Sequence, residues 1–185
     1  MLPVPELFDL PLQAPGGART TLRREAQAQP LVAVFLRHFG CLFCRERVAQ
    51  FAAEAGAFAA AGARVVFVGT GTGAMAADFQ QSHGHGLPVF GDPERRTYRQ
   101  AGMRRSFWES LHPRLFVNAL RAFRRGFRQT KVQGDPWQQG GVLVFAADGA
   151  LAHAAIDQVA GDPLDVRAVL AAVRALPGRG AVVVG

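Results

Sequence analysis

Residues 31–51, LVAVFLRHFGCLFCRERVAQF, restrict the fold of this chain more than any other stretch. Leu31 to Leu36 form a continuous β-branched and aromatic run, the pattern of a buried strand. Within a few residues the period changes to that of a helix. An inward face runs through Cys44, Val48, Phe51, Ala55 and Phe58 in alternating steps of four and three, and Gly62 supplies the stop signal. A second apolar run, ARVVFVG at 63–69, follows at once. Two such strands joined by one helix make a right-handed βαβ unit with parallel strands.

The C-terminal half reads differently. In GGVLVFAADGALAHAAI, 140–156, Asp148-Gly149 separates two strand-like runs, which predicts an antiparallel hairpin. After Pro163, Leu164, Val166, Val169, Leu170 and Val173 recur at helical spacing, so this helix should cover one face of the sheet. Between the halves, helices are expected near 73–82, 94–101 and 113–127, with a short strand and turn in LPVFGDP, 87–93. The expected architecture is α/β: a central mixed sheet, βαβ plus ββα, flanked by helices, with a basic helical insertion before the C-terminal hairpin. At 185 residues and 49% hydrophobic content the chain can bury one core. A single domain is expected over 1–176, with 177–185, PGRGAVVVG, a loose end.

Composition removes several functions. Lys131 is the only lysine and is followed by Val132, so a phosphate-binding P-loop is excluded. Ser82, Ser106 and Ser110 are the only serines, and none sits in a G-x-S-x-G elbow. The alternating Gly69, Gly71 and Gly73 do not match the G-x-G-x-x-G dinucleotide pattern, and no cofactor is expected. The N-terminus lacks a basic start and an uninterrupted apolar run, and no stretch reaches about 18 apolar residues, so a cytoplasmic protein with no membrane partner is expected.

In a reducing compartment a close cysteine pair serves redox chemistry or metal binding more often than stapling. Cys41 and Cys44, three residues apart in a first helical turn, face the same way, so their sulfurs can form and break a disulfide with little backbone movement. First-turn amides and the helix dipole favour thiolate, and Arg37, Arg45 and Arg47 add positive charge. A zinc site needs four ligands; His38, Cys41 and Cys44 supply three at most, so no metal is expected, and His38 reads as a packing residue.

The segment VFLRHFGCLFCRE, 34–46, resembles the signature of the AhpC/TSA-like group of peroxiredoxin-like, thioredoxin-fold proteins. The resemblance extends through 62–71, 87–102 and the Gln138-Gln139-Gly140-Gly141 block, covering roughly residues 8–176. It implies a thioredoxin-like fold and a thiol-dependent enzyme. Cys41 and Cys44 would be catalytic, and Arg37, Phe39, Arg45 and Gly140 would bind substrate or stabilise thiolate. Two departures stand out. Cys41 occupies the place of the usual hydroxyl residue, so alignment makes Cys44 the attacking sulfur whereas thioredoxin logic makes it Cys41; the choice stays open. Gly140-Gly141 stands where thioredoxin-like proteins usually place a cis-proline, and glycine there would let a backbone or substrate approach closely.

The expected reaction is hydroperoxide reduction through a Cys-x-x-Cys cycle, reset by an external dithiol of the thioredoxin kind. Its alternatives are a thiol–disulfide oxidoreductase and a non-catalytic module that binds an acidic partner. The last arises because residues 95–131 carry eleven basic side chains against one acid, Glu109. In HPRLFVNALRAFRRGF, 112–127, Leu115, Phe116, Ala119, Leu120 and Phe123 share a face with arginines largely opposite, which fits a packed surface helix or a lid; Trp108, Phe116 and Phe123 could line its mouth. Nucleic acid is not an expected partner, and homodimerisation is left open.

Overall fold

The structure, a computed structural model, describes residues 4–105, 113–127, 133–159 and 161–176. It opens with α1 (Val4–Asp9), β1 (Leu12–Gln13), β2 (Arg19–Thr20) and α2 (Leu22–Ala26), elements too short to leave a period in the sequence. The predicted βαβ unit follows as β3 (Leu31–Phe35), α3 (Leu42–Ala53), α4 (Ala55–Ala60) and β4 (Arg64–Gly69). Then come α5 (Gly73–His83), β5 (Val89–Gly91), α6 (Arg96–Gln100) and α7 (Pro113–Arg124). The hairpin β6 (Gly141–Phe145) and β7 (Leu151–Ile156) and the helix α8 (Val166–Arg174) complete the described chain. None of the helices among the described residues is long and apolar enough to cross a membrane.

The seven strands form one mixed sheet in the order β2-β1-β5-β4-β3-β6-β7. β3 pairs with β4 in parallel and with β6 antiparallel, so the strand that leads to the cysteines lies centrally. Its alternation serves both faces. Val32 and Val34 pack with Val48, Phe51, Phe58, Val169 and Val173 on one side. Leu31, Ala33 and Phe35 pack with Phe8, Leu22, Phe90 and Tyr98 on the other. A strand buried on both faces reads as a continuous apolar run, which explains LVAVF.

The single helix expected from Cys44 to Phe58 is two helices. At Glu54 the backbone departs from helical geometry (φ −105°, ψ 8°), and its N–H donates to Phe51 O at 3.2 Å, a tighter three-residue step. That step brings Phe58 onto Phe51, ring centroids 5.7 Å apart, and leaves Ala55 only half-buried. Gly62 ends α4 with φ +65°, as its stop signal requires.

The glycines after β4 make room for one ring. A Cβ on Gly69 or Gly71 would lie 2.3 or 2.7 Å from the Phe39 side chain, so this stretch lets Phe39 press against the end of the strand. The hairpin is antiparallel as expected, with Gly149 at φ +91° and a bulge between Val144 and Phe145.

The expected outward arginines of α7 are a correction. Asn118 and Ala122 are buried, and Arg121 and Arg125 turn toward α3, where both reach the carboxylate of buried Glu46, at 3.5 and 2.7 Å. Val117, Leu120 and Phe123 are 70%, 52% and 52% exposed. A buried carboxylate demands counter-charge more strongly than three apolar side chains demand cover, so the cationic face turned inward. Trp108 and the tail 177–185 lie outside the described residues, as does the side chain of Phe116.

Candidate active site

Cys41 is the N-cap of α3, and Cys44 follows one turn later. Both thiols are reduced and almost wholly buried, with 3% and 4% exposure. Their environments differ. The Cys41 sulfur accepts a hydrogen bond from the Cys44 thiol, and this outweighs the cost of burial; the Arg37 cation and the backbone N–H groups of Cys44 and Phe43 act in the same direction. The balance lowers the Cys41 pKa to about 7. Burial, together with the neighbouring Cys41 sulfur, pushes the Cys44 thiol well above its ordinary range, although backbone N–H groups of His38 and Arg37 partly oppose this. The Arg37 N–H lies 3.3 Å from Cys44 Sγ. Loss of one proton from the pair therefore leaves the charge on Cys41, where helix-start amides can bond it.

Arg37 is locked in place from a distant part of the chain. Its Nε donates to Gln138 O at 3.1 Å, and its Nη2 donates to Pro136 O. Gln138 is itself held, since its side-chain amide donates to Met103 O and Arg104 O at 3.2 and 3.1 Å. Arg37 O accepts from the Thr70 hydroxyl at 2.6 Å, tying the residue to the end of β4 as well.

The other expected site residues divide. Arg45 borders a cavity of about 280 Å³ with Phe39, Asp78, Phe79, Ser82, His83 and Gln133. Phe39 is a core residue, its ring 5.2 Å from that of Phe79. His38 is buried, and burial, followed by the charge of Arg37, lowers its pKa to about 4, so it is a neutral packing residue at neutral pH.

Gly140 does allow close approach, but to the chain itself. A Cβ there would lie 2.6 Å from Phe35 O, 3.0 Å from Asp157 Oδ2 and 3.5 Å from Arg47 Nη1. What fills the space is a buried ion pair. Arg47 donates to both Asp157 oxygens, at 2.7 and 2.9 Å, and to Asp162 O at 3.3 Å. Asp157 was invisible as a site residue in the sequence, since it lies more than a hundred positions from the cysteines and no local pattern marks it; Gln138 stood out only as part of the Gln138-Gln139-Gly140-Gly141 block, with nothing to show that it holds Arg37.

A cavity of about 10 Å³, lined by Phe35, Leu36, Arg37, Phe43, Cys44, Arg47, Asp157 and Gly161, reaches the pair from the Cys44 side. That is room for about one water molecule. It shares Phe43, Arg47 and Gly161 with a cleft of about 310 Å³ between α3, α7 and the 161–164 loop. Several arginines among the described residues of the basic 95–131 segment are paired within the molecule: besides the Glu46 contacts, Arg95 and Arg105 both reach Asp135.

Comparison with known proteins agrees with this architecture. Residues 50–158 match the family described as AhpC/TSA antioxidant enzyme, a span that begins after both cysteines. The chloroplastic thioredoxin-like protein AAED1 of Arabidopsis thaliana is 30% identical over 151 residues, 76% of this chain and 60% of that protein. Peroxiredoxin-like 2C of Homo sapiens is 29% identical over 147 residues, 74% of this chain and 65% of the relative. The chain thus spans somewhat under two thirds of the length of these curated relatives. Among solved structures, Xanthomonas campestris peroxiredoxin Q superposes with a TM-score of 0.65 at 23% identity, covering 95% of each chain. Mycobacterium tuberculosis peroxidoxin BcpB gives 0.67 at 17% identity, covering 91% of this chain and 94% of its own. These superpositions show the thioredoxin-like fold of peroxiredoxins, and by its sequence match the chain belongs to the AhpC/TSA antioxidant-enzyme family.

Proposed function

We propose that this chain is a thiol peroxidase in which Cys41 attacks and Cys44 resolves. The Cys41 thiolate takes the terminal oxygen of a hydroperoxide, the O–O bond breaks, and the departing alkoxide or hydroxide takes a proton to leave as alcohol or water. Cys41 is then a sulfenic acid. The Cys44 thiol condenses with it, a disulfide forms and water leaves. An external dithiol of the thioredoxin kind reduces the disulfide and is itself oxidised.

The observation that carries this reading is the unequal setting of the two sulfurs: Cys41 sits at the start of a helix, where the N–H groups of Phe43 and Cys44 and the Arg37 cation favour negative charge, and Cys44 lies one turn further in. Arg37, held by two carbonyls of the 136–138 segment, is the cation that favours charge on Cys41. Burial of both sulfurs behind a water-sized opening favours a small oxidant over a disulfide on a protein surface.

The test is stopped-flow oxidation of the reduced protein by hydrogen peroxide and by a small organic hydroperoxide, set against reduction of an insulin-type disulfide. The proposal expects rapid peroxide consumption with one disulfide formed per chain. Faster exchange with the protein disulfide would assign the pair to disulfide exchange instead.

A further inference from the structure

The ion pair behind Cys44 is unexplained by folding alone. A buried Arg–Asp pair gives little net stability relative to an apolar pair of the same size, because both charges must be desolvated. Here the side chains of Arg47 and Asp157 are only 9% and 10% exposed, and Gly140 leaves the space they occupy. Both line the cavity that holds the Cys44 sulfur.

Several other groups face that sulfur. On the strand-to-helix junction are the backbone N–H groups of Arg37 and His38 and the Cys41 sulfur, with the Arg37 side chain in the wall of the same cavity. From α6, the Tyr98 hydroxyl is close enough to feel its charge, but it is bonded to Leu36 O and Val68 O, at 2.5 and 2.8 Å, and stays neutral. From α3 comes Arg47, and from the end of β7, Asp157. Arg47 alone, sharing the cavity wall with Cys44, would draw negative charge onto Cys44 more strongly than onto Cys41. Asp157 cancels that pull.

We propose that Asp157 is a positioning residue for the sulfur pair: by neutralising Arg47 at the wall of the Cys44 cavity, it keeps Cys44 a thiol and leaves the negative charge to Cys41. This deepens the reading that Cys41 attacks and rests on it. Asp157 touches no reacting atom; it acts through Arg47. Its carboxylate sets the division of labour, attacker at the helix start and resolver one turn in.

The test is competitive labelling of the reduced full-length protein with iodoacetamide at neutral pH, with the label located by peptide mass spectrometry. Wild type should label mainly at Cys41. Asp157→Asn, which keeps the shape and removes the charge, should raise the Cys44 share by about tenfold, the change expected for one unit of thiol acidity. Asp157→Glu should restore the wild-type ratio. Because an unpaired buried Arg47 can unfold the protein, the double variant Arg47→Met with Asp157→Leu is measured as well. With both charges gone, it should keep the Cys41 preference.

An unchanged ratio in a folded Asp157→Asn protein would overturn the proposal and leave the pair a structural clamp. So would a double variant that labels like Asp157→Asn. Labelling needs no peroxide turnover, so a protein that reduces no hydroperoxide would sink the proposed reaction without deciding this test. Wild type labelling first at Cys44 would instead sink the assignment of the attacker.

Discussion

Helices α7 and α8 are nearly matched in their two-faced sequence pattern, yet they dock in opposite senses. α8 turns Val166, Val169, Leu170 and Val173 inward, all buried, onto α4 and the β6–β7 hairpin, with Asp165 capping its first turn at 3.0 and 3.2 Å. α7 turns Asn118 and Ala122 inward onto α3, with Arg121 and, just past its end, the largely exposed Arg125 reaching Glu46, and leaves Val117, Leu120 and Phe123 outside. The difference lies in what is underneath. Beneath α8 is apolar sheet; beneath α7 is Glu46, two residues past Cys44 and almost fully buried. Periodicity establishes that a helix has two faces, and the surface it meets decides which one is hidden.

Truncating an apolar side chain of α8 should destabilise the fold most. Leu170→Ala should cost about 2–4 kcal/mol in urea unfolding, the usual range for truncating a buried leucine. A cost below the measurement error would mean that α8 is not a core element. The matching substitution at α7, Glu46→Gln, removes the charge that both arginines reach; about 1–2 kcal/mol is expected, since Arg125 lies largely in solvent and its share is screened. Its signature is local. Amide exchange over 117–125 should speed up while 166–174 keeps its protection, and equal loosening of both helices would contradict charge-held docking.

Raising salt to about 1 M, where the screening length falls to about 3 Å, should reproduce part of the Glu46→Gln effect at α7 and none at α8. The smallest effect belongs to the outward stripe. Leu120→Ser together with Phe123→Ser should change stability by no more than about 0.5 kcal/mol, because neither side chain is buried in the folded chain. A loss above about 2 kcal/mol would place that stripe in the core and reverse the orientation described for α7.

The same contrast explains what could be read from the sequence. β3, β4, β6 and α8 are legible because their apolar residues meet apolar partners, so run length and period report burial directly. The cysteine pair is legible because spacing and a strand-to-helix junction are local properties. The first four elements escaped because pieces of two to six residues carry no period. The break at Glu54 escaped because Phe51 and Phe58 keep helical spacing through it. Within the site, Arg37, Arg45 and Arg47 looked equivalent; the fold separates them by giving Arg37 the carbonyls of 136–138, Arg47 the carboxylate of Asp157, and Arg45 a position beside the C-terminal part of α5. Those partners lie far along the chain, and only the topology brings them together.

The reaction proposed here depends on the two sulfurs being unequal, and site-resolved alkylation of the reduced wild-type protein from weakly acidic to alkaline pH measures that inequality. Cys41 should label first, its rate climbing as thiol becomes thiolate, half-maximal near pH 7 and level above it. Cys44 should follow only at distinctly alkaline pH. A common midpoint near that of an ordinary thiol, about 8.5, or Cys44 labelling ahead of Cys41, would contradict the account.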